Sequence, residues 1–462
     1  MKKLFVALVA GLLVGGSATS ASAEAAADER RSYTGTINGA EYRVETPAHW
    51  NGTLVMYSHG FHAVDFGLPM MVTNAPESEE WLLEHGYALA ASEFQNGGVG
   101  YVVEEAMRDQ LALLDWIEAN VGRPHRTVMT GQSLGVVIST LLAERYPQRF
   151  DGVLNLCGAY DPLNTFNASL DVNFAVKTLL APDEDIDLIG AADPIASRDA
   201  LVAVIQRARA TPEGQARLAL AGAFANATGW YRSLDPEPTD LAGWIQQLIE
   251  WVTWARAWGT GPVAFASIAE AAGGNPLWNS GVDYAKQLAR SSQRDVVRQA
   301  YRQAPALDLR ADLELLAAAP RIAPEPDAVR YLYRYGVPVG RTPVPLLALH
   351  TTGDGGAPPD QERWYAEQVR RNGDPGQLRQ LSVERGGHCS FSAAEEVTAL
   401  RALLTKMDTG RWPSTDPGWL NAAANRFEPH FHQVLDLGSG QQAVLPPAFT
   451  RYTPSATLRP SR

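Results

Sequence analysis

The sequence predicts an α/β fold, a mostly parallel, doubly wound sheet interrupted by a long helical insertion. Three observations carry that expectation. Short β-branched and apolar runs alternate with segments of helical periodicity over residues 24–160, the pattern of parallel strands covered by helices on both faces. The alternation stops after Asp161-Pro162, gives way to helical segments through residue 340, and resumes over 341–411. At Thr127–Gly135 a strand-like run meets Gly131-Gln132-Ser133-Leu134-Gly135, followed by an apolar helical segment that ends before Pro147. A serine is thereby set on a sharp turn between a buried strand and a helix.

At the start of the chain, Lys2 and Lys3 precede an apolar run, Leu4–Val14, and small residues ending Ala21-Ser22-Ala23. A charged start, a short apolar core and an A-x-A-like end make residues 1–23 a secretory signal peptide. The run is too short to span a bilayer, and no cysteine near Ala23 could take a lipid. A secreted protein with no stable membrane anchor after cleavage is expected. Removal takes away two lysines and no acids, so the formal charge moves from -12 to -14. Such an acidic chain argues against nucleic acid and anionic membranes as partners. With no CxxC pair, no HExxH and no Walker-type glycine loop, neither a metal nor a cofactor is expected.

The elements follow in order. Residues 24–31 are rich in alanine and charge and form a loose start. Thr34–Ile37 and Glu41–Glu45 read as a hairpin turning on Asn38-Gly39. Thr53–Ser58 is a buried strand that ends at His59-Gly60-Phe61. Glu79–His85 is helical and closes at Gly86, and Tyr87–Ser92 is the next strand. Tyr101–Asn120 has helical periodicity through Met107, Leu111, Leu114, Trp116 and Ile117. After the serine turn and its helix, Gly152–Cys157 is a strand. Beyond the insertion, Pro345–His350 is a buried strand running into Thr351–Pro358, and Pro359–Arg371 is helical. Leu378–Val383 is the last strand, followed by Gly386-Gly387-His388-Cys389 and a closing helix over Ser392–Met407. In the final stretch Val434–Leu437 and Ala443–Leu445 fit a short edge hairpin, and His430 and His432 read as surface residues.

A strand ending in His59-Gly60, a G-x-S-x-G turn at Ser133, and the chain order Ser133, Asp354, His388 resemble the α/β-hydrolase superfamily. The resemblance implies a hydrolase core over 24–160 and 341–411, a helical cap over 161–340 and a C-terminal extension over 412–462. It implies Ser133 as nucleophile and His388 as the base that takes its proton, because a serine hydroxyl is a poor nucleophile at neutral pH. Asp354 would fix the imidazole tautomer, with Asp161 the competing acid at the end of the preceding strand. The backbone amides of Phe61 (or Gly60) and Leu134 would form the oxyanion hole. The triad itself draws Cys157 and Cys389 towards one edge of the sheet, which in an exported protein implies a disulfide; two unrelated buried thiols are the alternative.

Within the insertion, Ser197–Ala210, Thr211–Ala225, Thr239–Trp258, Asp283–Ala304 and Leu309–Ala318 read as helices. Pro324 and Pro326 interrupt, and Asp327 is placed to cap a further helix to Tyr335. Trp244, Leu248, Trp251, Trp254 and Trp258 fall on one helical face, preceded by Trp230 and Tyr231. That stripe either packs the insertion against itself and the sheet or walls an apolar substrate, and the sequence leaves both open.

The expected function is that of a secreted serine hydrolase cleaving a small-molecule or polymeric carboxylic ester through an acyl-enzyme on Ser133. A serine exopeptidase of the amino- or tripeptidyl-peptidase kind is a second reading. It requires an acidic anchor for the substrate amine, for which Glu237, Asp240, Glu250 and Glu270 are available. A non-catalytic binding protein on the same scaffold is a third. Cys389 directly after His388 is similar to the tannase and feruloyl esterase group, but Gln132 stands where that group carries the partner cysteine.

Overall fold

The computed structural model describes residues 29–67 and 69–461; the signal-like segment 1–23 lies outside them. β1 (Arg31–Ile37) and β2 (Ala40–Thr46) are the opening hairpin, closed by the pair Ile37↔Ala40 over Asn38-Gly39. β3 (Thr53–Ser58), α1 (Pro76–Glu84), β4 (Ala88–Phe94) and α2 (Val103–Asn120) follow. Then come β5 (Arg126–Gln132), α3 (Gly135–Arg145) and β6 (Gly152–Leu156). β3 pairs in parallel with β4 and β5, β5 with β6, and β2 joins the outer side of β4 antiparallel.

The segment between β6 and the next core strand is helical throughout. α4 (Pro162–Leu180) starts at Asp161, whose side chain accepts from the Asn164 amide as a cap. Its periodicity is silent in sequence because it is buried on nearly every side, Asn167, Asp171 and Asn173 included, so it has no polar stripe. α5 (Pro194–Ala208) and α6 (Pro212–Ala223) lead to α7 (Leu241–Glu250), which continues as a π-helical segment, Trp251–Gly259, and then α8 (Pro262–Ala272). The wider π turn changes the angular phase, so the tryptophans do not share one face. Trp251 is buried, Trp254 is 45% exposed with its indole donating to Glu250, and Trp258 is half-buried. The single helix expected over Asp283–Ala304 is two, α9 (Tyr284–Arg290) and α10 (Arg294–Gln303). It breaks where Ser291 Oγ donates to Ala223 O (2.7 Å) and the Ser292 amide donates to Asn226 Oδ1 (3.1 Å), bonds that compete with the helical ladder. α11 (Leu309–Ala318) precedes α12 (Pro326–Tyr335), which begins at Pro326 and leaves Asp327 in the first turn instead of at the cap.

The sheet resumes with β7 (Leu346–Gly353), α13 (Asp360–Asn372), β8 (Leu378–Gly386), α14 (Ala393–Thr409) and α15 (Pro417–Ala424). β9 (Gln433–Asp436) and β10 (Gln441–Val444) form the late hairpin as a sheet of their own, and β11 (Phe449–Thr450) takes the edge beside β8. Asp436 draws the hairpin away from that edge, accepting from Arg232 (3.0 Å) and from the Ser233 amide (3.3 Å) of the insertion. His430 is at the surface, but His432 is buried, with Nε2 facing Phe427 O at 3.2 Å. The main sheet among the described residues runs β1-β2-β4-β3-β5-β6-β7-β8-β11. Alternation along the strands divides the core. Met56 and Met129 pack with Leu113 of α2, Val136 of α3 and Trp364 of α13, while Val55, Val128 and Leu347 pack with Leu82 of α1 and Leu403 of α14. Helices on both faces leave the carboxyl ends of β3 and β5 to β8 as the open edge where loops can meet.

Candidate active site

β5 ends and α3 begins with Ser133 between them at φ +54°, a left-handed backbone that costs a non-glycine residue roughly 1–3 kcal/mol. The turn is fixed by the Ser133 amide donating to Leu156 O (3.0 Å) and the Ala159 amide donating to Ser133 O (3.2 Å). Its flanks admit no side chain: a Cβ on Gly131 would stand 2.4 Å from Gly135 O, and one on Gly135 would stand 2.1 Å from Ser58 O. Bare backbone is what lets α3 cross against β3 and β5 and bring its positive end to the serine.

His388 Nε2 lies 2.8 Å from Ser133 Oγ, and His388 Nδ1 lies 2.6 Å from Asp354 Oδ2. Asp354 is fully buried, and its Oδ1 accepts from the amides of Gly356 (2.8 Å) and Ala357 (3.0 Å). Burial alone would raise this carboxyl, but the charge of His388 and the hydrogen bond from His350 bring it down to about 2. Asp161, the competing acid, is engaged elsewhere: beyond capping α4 it accepts from the Ser461 amide and hydroxyl, both at 2.7 Å. Burial, against those hydrogen bonds, lifts it to about 6. Glu384 is exposed on β8.

Two covalent and ionic ties hold the His388 loop. Cys157 and Cys389 form a disulfide with Cα atoms 5.2 Å apart. β7 lies between β6 and β8, yet the loop after β8 crosses its end, where Thr351 Oγ1 donates to Gly387 O (2.8 Å). Arg385 and Glu395 bracket the same loop as a buried forked pair at 2.7 and 3.0 Å, and Arg385 also donates to Ser390 O (2.9 Å). Neither partner of that pair stood out in the sequence, since a lone arginine and glutamate carry no spacing signal. The acid loop is covered from the insertion: the Trp251 ring stands 2.6 Å from where a Gly355 Cβ would be, and buried Arg256 donates to Gly355 O (2.8 Å). The disulfide closes a separation of 232 residues, for which the chain-entropy model gives at most about 5 kcal/mol. The double change Cys157→Ser with Cys389→Ser is therefore expected to lower the guanidinium unfolding midpoint without changing the secondary structure, as followed by circular dichroism.

Ser133 and His388 line a cavity of about 570 Å³. Its walls are largely apolar: Phe61, Phe66, Leu134, Phe166, Trp258 and Phe391 all contribute. Phe61 meets Phe166 edge-on at 5.7 Å, and Phe66 faces Trp258 at 6.1 Å. Among the described residues no lysine or arginine lines it, and the acid that does is Glu77; Glu237, Asp240, Glu250 and Glu270 lie elsewhere. Phe61 and Leu134 line the same cavity as Ser133, and Gly60 is close enough that a Cβ on it would sit 3.6 Å from Ser133 Oγ. Neither the Phe61 nor the Leu134 amide donates to another described residue.

Two clusters bring metal-ligand types together among the described residues. Cys157, His388 and Cys389 are already used by the disulfide and by Ser133. His59, His62 and Glu93 form the other. The His59 and His62 rings stack at 4.5 Å with 16° between planes, so their in-plane lone pairs do not converge on a common ion. Burial keeps both rings neutral, His59 at about 4.

Residues 76–301, from α1 into α10, match the family model described as "Putative esterase". The chain is 30% identical over 423 residues to an o-phthalyl amidase from Xanthobacter agilis, covering 84% of this chain and 89% of that one. Among solved structures, feruloyl esterase B from Aspergillus oryzae is 12% identical with a TM-score of 0.44, covering 83% of this chain and 82% of that one. The Pyrococcus horikoshii acylaminoacyl peptidase is 10% identical with a TM-score of 0.34; the alignment covers 78% of this chain, which spans 37% of the peptidase's length.

Proposed function

We infer that this chain, which belongs to the α/β-hydrolase superfamily in the same family as the o-phthalyl amidase, is a serine hydrolase acting through an acyl-enzyme on Ser133. The observation that carries the reading is the unbroken relay from Ser133 Oγ through His388 to Asp354, at 2.8 and 2.6 Å, on the floor of an apolar cavity. In the proposed reaction Ser133 Oγ attacks the acyl carbon as His388 Nε2 takes its proton. The carbonyl oxygen becomes an oxyanion facing the Phe61 and Leu134 amides, where each donor is worth about 2.7–4 kcal/mol of barrier. His388 then protonates the leaving group, and water repeats the sequence to free Ser133. The helices between β6 and β7 serve as a cap, since Phe166 and Trp258 wall the cavity from that side.

A carboxylic ester with an uncharged, apolar acyl group is the substrate we propose. The cavity offers aromatic walls and, among the described residues, no lysine or arginine for a carboxylate. An amide is the second reading, favoured by the 30% identity to an amidase. The exopeptidase reading has less support, because the acids proposed to anchor an amine do not line the cavity. A fluorophosphonate probe is expected to label Ser133, and no labelling in folded protein would favour a binding protein. Matched p-nitrophenyl esters and p-nitroanilides of one apolar acid then separate esterase from amidase. A kcat/KM for the ester at least tenfold above that for the anilide is expected, and the reverse order would move the assignment to an amidase. The disulfide supports export, since such bonds persist in oxidising compartments. No described helix is long and apolar enough to cross a membrane. Amino-terminal sequencing of the exported protein is expected to begin at Glu24.

A further inference from the structure

We propose that His350 is a buried imidazolium, held between the carboxylates of Asp354 and Glu362, and that it is a positioning residue for the triad acid. The inference rests on the reading of Ser133, His388 and Asp354 as a triad. His350 sits on β7, 2% exposed, four residues before Asp354. Its Nε2 lies 2.8 Å from Ala357 O and 3.4 Å from Asp354 Oδ2, and its Nδ1 lies 3.0 Å from Glu362 Oε1. Both ring nitrogens therefore face oxygens.

The proton count follows from what those oxygens can do. A backbone carbonyl only accepts, so Nε2 must carry a hydrogen. A single proton then lies between Nδ1 and Glu362 Oε1, since Glu362 Oε2 already accepts from Gln380 at 2.7 Å. That proton belongs on nitrogen, the more basic partner by about two units in water, and the Asp354 anion beside the ring favours it further. The surrounding charges agree. Beside the site stand Asp360 on α13, which burial lifts to about 7, and Arg256 of the π-helical segment, while Tyr160 and Tyr365 stand near Glu362. With that proton on Glu362 instead, His350 would be neutral and the buried Asp354 anion would lose the cation 3.4 Å from its Oδ2, an unfavourable balance for a fully buried carboxylate. Burial by itself would lower His350, but its hydrogen bonds to Asp354 and Glu362 raise it to about 10.

The consequence reaches the reaction. His388 Nδ1 and His350 Nε2 contact the same oxygen, Asp354 Oδ2, so these nitrogens are at most about 6 Å apart. His350 thus ties the Asp354 loop through Ala357 O, keeps the buried carboxylate ionised, and opposes a second positive charge on His388. Neutralising it must raise the basicity of His388. At that separation, in an effective dielectric near 20, one charge is worth about two pKa units.

Two measurements test the proposal with His350→Gln, which keeps a donor for Ala357 O and removes the charge. In the ¹⁵N-labelled wild type at pH 8, NMR is expected to show two ring N–H signals that vanish in His350→Gln. One N–H signal, or a ring that titrates between pH 5 and 8, overturns the imidazolium whether or not the protein turns over any substrate. In the folded variant the acid limb of kcat/KM is expected to move up by about two pH units, with KM within threefold of wild type. An acid limb unmoved within 0.2 unit, beside two wild-type N–H signals, would reduce His350 to a packing residue. Should the wild type hydrolyse no ester or amide, the triad reading fails, and the N–H signals still decide the charge of His350.

Discussion

Ser133→Ala is expected to abolish turnover and leave the fold intact. In a triad the nucleophile, base and acid act as a unit, so losing the nucleophile forfeits nearly all the rate they supply together, roughly 10⁶ in kcat where such a serine has been removed from a comparable site. The residue Ser133→Ala leaves behind keeps the backbone bonds that fix the turn, because those run through the Ser133 amide and carbonyl to Leu156 and Ala159. The lost hydroxyl was a hydrogen-bond partner of His388, whose side chain is 23% exposed and can turn to water for a replacement. Stability should accordingly change little. The check is hydrolysis of a p-nitrophenyl ester alongside thermal unfolding of both proteins. A variant that keeps more than a few per cent of the wild-type rate would remove Ser133 from the role of nucleophile.

The parts of this arrangement that were legible in the sequence are those written in periodicity and turn chemistry. Strands buried on both faces show as continuous apolar runs, so β3, β5, β6 and β7 stood out, and Gly131 and Gly135 marked the turn because backbone contact there excludes every other residue. The order of Ser133, Asp354 and His388 along the chain was readable because each follows a strand, although β8 before His388 is only partly buried. What escaped was set by tertiary burial. α4 and α8 lack an amphipathic stripe, and the π-helical turn at Trp251–Gly259 rotated the tryptophans off their expected face, sending Trp251 under the acid loop and Trp258 to the cavity wall. His350 was in view as the end of a strand, but its function depends on Glu362 and Ala357, contacts that arise only when α13 packs back on β7 and β8. Asp161 shows the converse. As a residue type at a strand end it competed with Asp354, and its oxygens are taken up by Ser461, some 300 residues on.

Asp354→Asn is expected to cost roughly four orders of magnitude in kcat, while Asp161→Asn leaves kcat nearly unchanged. The argument is one of proton placement. Asp354 Oδ2 accepts from His388 Nδ1 at 2.6 Å, which leaves the Nε2 lone pair facing Ser133 Oγ at 2.8 Å, the tautomer a general base needs. An asparagine can keep the shape of the loop, since its Oδ1 still accepts from the Gly356 and Ala357 amides at 2.8 and 3.0 Å. Its amide group would then stand at the Oδ2 position and donate to Nδ1, forcing the hydrogen onto Nε2, where it faces the serine it should deprotonate. The substitution also removes the anion that stabilises the His388 imidazolium in the transition state, and it leaves His350 with one carboxylate instead of two. Asp161→Asn tests the alternative on equal terms. It lies 0% exposed as a cap and an acceptor for Ser461, so its loss should lower the unfolding midpoint and spare the rate. Single-turnover acylation with a p-nitrophenyl ester, measured beside thermal unfolding for both variants, separates the two roles. A larger fall in rate for Asp161→Asn than for Asp354→Asn would transfer the acid to β6 and overturn the assignment of the loop after β7.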